Sequence, residues 1–63
     1  MIIRNEGTVV VFSPEDEVEK LWIADHVESE DWQWFGQSLT VDHRYADDLE
    51  EYIREAGLVI KHT

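Results

Sequence analysis

A small two-layer α+β domain is what this sequence predicts: a β-hairpin, then helix, strand, helix, strand, forming a three- to four-stranded sheet with both helices on one face. Three observations carry that prediction. Two β-branched runs, Ile2-Ile3 and Val9-Val10-Val11-Phe12, flank Asn5-Glu6-Gly7 as the arms of a hairpin flank its turn. Apolar residues recur with helical period between Pro14 and His26, and again between Tyr45 and Ala56. A strand-like run follows each of those stretches, Leu39-Thr40-Val41 and then Leu58-Val59-Ile60-Lys61-His62.

In the hairpin, Gly7 supplies the positive φ that a short turn needs, and the first arm is short enough to be a fringe of the sheet. Ser13-Pro14-Glu15-Asp16 reads as a helix start. Ser13 is expected as N-cap and Pro14 at the first helical position, with acids where the helix dipole favours them. On that helix Val18, Leu21 and Trp22 form a stripe that Ile23, Ala24 and Val27 widen, while Glu15, Glu19, Lys20 and His26 are expected to point elsewhere. The helix runs to about His26.

Glu28-Ser29-Glu30-Asp31 has no apolar member and reads as a solvated connection. From Trp32 to Val41 the pattern is that of one strand with a bulge at Gly36. Parity then puts Trp32 and Trp34 on one face and Phe35, Leu39 and Val41 on the other. The second helix has the cleanest periodicity, Tyr45, Leu49, Tyr52, Ile53 and Ala56, and Gly57 stands where a left-handed C-cap belongs. The two strand-then-helix halves are loosely alike. A helix joining two strands usually makes a right-handed crossover, so both helices share a face and the other face of the sheet lies open to solvent or to a partner.

The 63 residues make one domain, residues 1–63, because two cores could not be built from so short a chain. There is no cysteine, so neither disulfides nor cysteine-based zinc sites can hold it together. Packing must do so, with oligomerisation in reserve. No apolar run approaches the length of a membrane span and no signal-like N-terminus is present, which predicts a cytoplasmic protein away from membranes. Fifteen acids against five bases give a net charge of -10. Direct binding of nucleic acid or of an anionic membrane is therefore not expected, whereas basic partners are favoured.

Catalytic chemistry finds little support. Ser13, Ser29 and Ser38 lie in no activating context, and Asp42-His43, being adjacent on a strand end, point apart instead of forming a dyad. The expected role of Asp42, or of polar groups near it, is to satisfy backbone donors where the strand end feeds the second helix. His26, His43 and His62 among many carboxylates match neither the zinc-protease nor the EF-hand spacing, so no metal, cofactor or catalytic residue is assigned.

Interaction is the better-supported class. Trp22 belongs to the core stripe. Trp32 and Trp34 flank a polar residue beside an acidic loop. Trp34 leans to the core, and Trp32 is open to either role, core filler or interface anchor. If these tryptophans, or Val10 and Phe12, lie on the open sheet face, a second copy of the chain could cover them. Residues 13 to 31 hold eight acids against the single base Lys20. Asp47, Glu51 and Glu55 repeat at every fourth position of the second helix, while Glu50 is spaced to pair with Arg54.

The expected function is thus a small, acidic, non-enzymatic protein-protein interaction module, a possible homodimer, with Trp32 and Trp34 as its anchors. The alternative is an acidic nucleic-acid mimic that blocks a nucleic-acid-binding protein through Glu15, Glu19, Asp47, Glu51 and Glu55. A small hydrolase or metal-binding protein ranks last. In size, acidity and lack of cysteine the chain resembles small proteins encoded by bacteria and their phages, a likeness of composition that carries no functional residue with it.

Overall fold

The first hairpin turns through Glu6-Gly7-Thr8, where Gly7 takes φ 93°, the Asn5 side chain accepts from the Gly7 amide at 2.8 Å, and the Glu6 amide donates to the Val9 carbonyl at 2.9 Å. That turn sets the register Ile3↔Phe12 and Asn5↔Val10. In the computed structural model, which describes all 63 residues, the elements are β1 (Ile2–Asn5), β2 (Val9–Ser13), α1 (Glu17–His26), a 3-10 turn (Asp31–Gln33), β3 (Trp34–Phe35), β4 (Ser38–Asp42), α2 (His43–Glu55) and β5 (Lys61–His62).

The sheet has five strands in the order β3-β4-β2-β1-β5, one or two more than expected. β1 is not a fringe: it lies between β2, antiparallel to it, and β5, parallel to it. Leaving β1 aside, the chain runs β-α-β-β-α-β, the split β-α-β succession. From the pairings, β2 and β3 are parallel with β4 between them, and β4 and β5 are parallel with β2 and β1 between them. The two crossovers leave oppositely directed strands toward opposite edges, so crossovers of the same hand put both helices on one face. The core confirms that placement. Ile3, Val10, Phe12, Leu39 and Val41 of the sheet are buried with Ile23 of α1 and with Ala46 and Ile53 of α2.

α1 begins later than its sequence signal. Ser13 ends β2 opposite Ile2, and its hydroxyl lies 2.8 Å from that of Ser38, the next strand's matching residue. With Ser13 so engaged, Asp16 is the N-cap, accepting from the Glu19 amide at 2.9 Å. The expected stripe is also displaced: Val18 and Leu21 are exposed, whereas Ile23 and Glu19 are buried, Glu19 to 6% exposure. At about 100° per residue, the five apolar positions of this helix, Val18, Leu21, Trp22, Ile23 and Ala24, spread around nearly its whole circumference, so their pattern could not select the inward side.

The side that is buried carries Ile23, with Trp22 and Val27 packed against the core, and one buried ion pair. The Met1 ammonium is buried and lies 2.7 Å from the Glu19 carboxylate, 3.3 Å from that of Glu15, and donates to the Val59 carbonyl at 2.8 Å. A buried charge is tolerable only when paired and fully hydrogen-bonded, and this one has an acceptor for each of its three protons.

β3 and β4 form a second hairpin where a single bulged strand was expected. Trp34 pairs with Leu39 and Phe35 with Ser38, leaving Gly36-Gln37 as a two-residue loop. Gly36 has φ 63° and no non-glycine residue has positive φ, the pattern of a type II′ turn with glycine at its first central position. The reversal changes which residues share a face. Trp34 joins Leu39 on the helix side and packs against the core, while Phe35 projects from the other side, 70% exposed.

α2 ends as expected. Gly57 has φ 85°, its amide donates to Arg54, and the Leu58 amide reaches Ile53, the paired bonds of a Schellman motif. Its buried face is Ala46 and Ile53 with Leu49 and Glu50 partly covered, so Tyr45, Tyr52 and Ala56 sit outside the core that their spacing suggested. Ala46 lets the helix approach the sheet, and the tyrosines keep their hydroxyls in solvent. The final strand is shorter than Leu58 to His62. Leu58 and Ile60 turn in against the core, and only Lys61 and His62 pair with β1. No helix is long and apolar enough to cross a membrane.

Candidate functional site

The largest apolar recess lies at one end of the helical layer, where the C-terminus of α1 meets the 3-10 turn and the start of α2. Its volume is about 490 Å³, and Val27, Val41 and Leu49 contribute apolar surface to it while Trp32, Tyr45 and His26 bring rings. An apolar recess with a few converging polar groups is the default place to seek a ligand.

Local folding explains why Trp32 stands over this groove. Gln33 accepts from the Glu30 amide at 2.8 Å and donates to the Thr40 carbonyl at 3.1 Å, tying the 3-10 turn to β4. Trp34 packs against the core and its indole N–H donates to Ser29 at 2.9 Å. Held from both sides, the turn presents Trp32 with 74% of its surface exposed. His26 is oriented too. Its ring stacks on Trp22 with centroids 4.5 Å apart, Tyr52 meets both rings edge-on, and its Nδ1 lies 2.9 Å from the Trp22 carbonyl.

Electrostatically the groove is acidic. Glu28 and Asp42 line it and no lysine or arginine does, while Asp25, Glu28 and Glu30 surround an adjoining polar recess. Asp42 is also the N-cap of α2, accepting from the Arg44 amide at 2.8 Å and from the Arg44 guanidinium at 3.1 and 3.2 Å. These bonds, first those from the guanidinium and then the one from the amide, hold its carboxyl down at about 2.

A pH dependence follows. The folded chain takes up a proton at Asp42 less readily than the unfolded chain does, so the stabilisation is complete above the ordinary carboxylate range and is lost as pH falls toward about 2. Asp42→Asn is therefore expected to flatten the fall in melting temperature between about pH 4 and pH 2 relative to the parent. Parallel thermal melts would check this; identical slopes would contradict it.

The other residues singled out from the sequence are scattered. Glu15 pairs with Met1 and with Lys61 at 3.2 Å, contacts that hold its carboxyl below the usual range, the Lys61 bond being the larger cause. Glu19 is buried against the ammonium. Asp47, Glu51 and Glu55 lie exposed along α2. Glu50 meets Arg54 at 3.0 Å, as its spacing suggested, and also His62 at 2.7 Å; these bonds, chiefly the one to His62, lower its pKa. His43 starts α2 beside the capping Asp42, and no three of the His, Asp and Glu side chains converge as metal ligands would.

Sequence reasoning missed Tyr45, His26 and Leu49 as neighbours of Trp32, because nothing local brings residues 26, 32 and 45 together. It also missed Phe35 on the open face, although Gly36-Gln37 between alternating residues was a readable two-residue loop signal. No protein-family model matches this chain, and neither does any curated protein or any solved structure.

Proposed function

We propose that this chain is a non-enzymatic protein-interaction module of the cytoplasm of a bacterium or of a phage-infected cell, and that it receives a basic, partly apolar segment of a partner protein in the groove beneath Trp32. The observation that carries the reading is Trp32 itself, the largest side chain type, held out of the core by a pinned turn over an apolar recess. Tryptophan and tyrosine are the residues most often found at the energetic centre of protein interfaces. The acidic lining supports a basic occupant. An arginine or lysine can lay its aliphatic stem along Trp32 and Tyr45 and set its charge near Glu28, where stacking on the ring faces and ionic attraction act together.

Titration with a short peptide alternating arginine and leucine, followed by tryptophan fluorescence, tests this. Saturable binding is expected that weakens as salt rises from about 50 to about 500 mM, the direction that screening imposes on opposite charges. A peptide with glutamine in place of arginine is expected to bind at least about tenfold more weakly, a loss of roughly 1.4 kcal/mol. Equal binding of the two peptides would overturn the reading.

A second reading, the acidic decoy, keeps one support. The Asp47, Glu51, Glu55 row is exposed and enters no ion pair. Glu15 and Glu19, however, are engaged inside the chain, which leaves that surface narrower than its sequence implied.

A further inference from the structure

The face of the sheet opposite the helices points to a second use that does not depend on the groove: we infer that it associates with the same face of a second copy of the chain. Alternation from the buried residues assigns this face to Ile2, Arg4, Val9, Val11, Ser13, Ser38 and Thr40, with Asp42 at the end of β4, Phe35 at one edge and Lys61 at the other. No element covers it, and Arg4, Val9, Val11, Phe35, Ser38 and Thr40 line a shallow apolar depression there.

Charge chooses the occupant. Of the fifteen acids only Asp42 lies within a strand, at the end of β4, where it caps α2; the rest are in helices and connections. A chain of net charge -10 repels its own copies in most orientations. Packing sheet on sheet is the orientation that keeps both acidic helical layers outermost and buries a face whose charged members, Arg4, Lys61 and, at its rim, Asp42, are already paired with Glu6, Glu15 and Arg44. Two stacked sheets lie about 10 Å apart, a distance the side chains of Val9, Val11 and Phe35 can fill.

Area sets the strength. Five strands about 4.8 Å apart and two to five residues long cover roughly 300 Å² per copy. That is well under half of the ~800 Å² per partner typical of a stable complex, so the association is weak and concentration-dependent.

Sedimentation equilibrium up to about 1 mM at two salt concentrations tests the inference. The expected result is a reversible dimer that strengthens as salt rises, because screening relieves like-charge repulsion. This is the opposite sign to the peptide titration, so failure of one leaves the other standing. Arg4→Glu and Phe35→Ser alter exposed side chains and should each raise the dissociation constant at least about tenfold. A third variant needs no loss of binding to be read. The chain has no cysteine, so Val11→Cys at the centre of the face should oxidise to a disulfide-linked dimer well ahead of Asp47→Cys on the outer side of α2. A monomer at the highest concentration in high salt, or equal oxidation rates of the two cysteine variants, would overturn the inference.

Discussion

Glu19→Ala is expected to cost about 3 to 5 kcal/mol, the usual penalty for removing one partner of a buried ion pair and leaving the other charge inside. The Met1 ammonium would keep only the Val59 carbonyl and the more distant Glu15 carboxylate. The Glu15 amide, which donates to Glu19 at 2.9 Å, would lose its acceptor as well. A domain of this size has about 3 to 9 kcal/mol of stability in total, so the variant should give up at least about a third of it. Urea denaturation followed by circular dichroism measures it. Glu19→Gln retains an acceptor without the charge and should fall between, losing about 1.5 to 3 kcal/mol. If alanine costs less than about 1 kcal/mol, the ammonium is satisfied without Glu19 and the account of how α1 is oriented fails.

Trp32→Ala should do the reverse, leaving the fold intact and removing the partner. Truncation of a central interface tryptophan typically costs at least about 2 kcal/mol of binding, or about thirtyfold in the dissociation constant of the arginine-leucine peptide. Because Trp32 is mostly exposed and belongs to no part of the core, the melting temperature should stay within a few degrees of the parent. Trp34→Ala is the contrast. It empties a position packed against the core and should lower stability first, with any loss of binding following from that. Binding that survives Trp32→Ala unchanged would remove the groove from consideration.

Much of this fold was legible residue by residue wherever the signal was local. Gly7, Asp42 and Gly57 each stand where a turn, a cap or a left-handed helix end demands that residue type, and all three take those roles. The alternation of Leu39, Thr40 and Val41 is local, whereas Val9 to Phe12 are all apolar, and Val10 and Phe12, which the sequence left free to lie on the open face, are buried with the helices in register with Val41 and Leu39. The errors fell where two local signals competed or where none existed. Ser13 and Asp16 are both good caps, and the cross-strand bond from Ser13 to Ser38 decided between them. Gly36 suits a bulge and a two-residue turn equally, and the pairing of Trp34 with Leu39 decided for the turn.

The candidate site follows the same division. An acidic, cysteine-free chain with tryptophans beside a charged loop can be read from composition and order alone, and that already favours a basic protein partner over nucleic acid or membrane. The separation of Trp32 from Trp34 in role, the burial of Glu19 among acids that looked alike, and the meeting of His26, Trp32 and Tyr45 belong to the tertiary structure. The reason is physical. Periodicity reports how a segment divides its own apolar and polar residues, but a short helix with apolar residues all around has no preferred side until distant groups meet it, here the sheet core that receives Ile23 and the Met1 ammonium that Glu19 pairs.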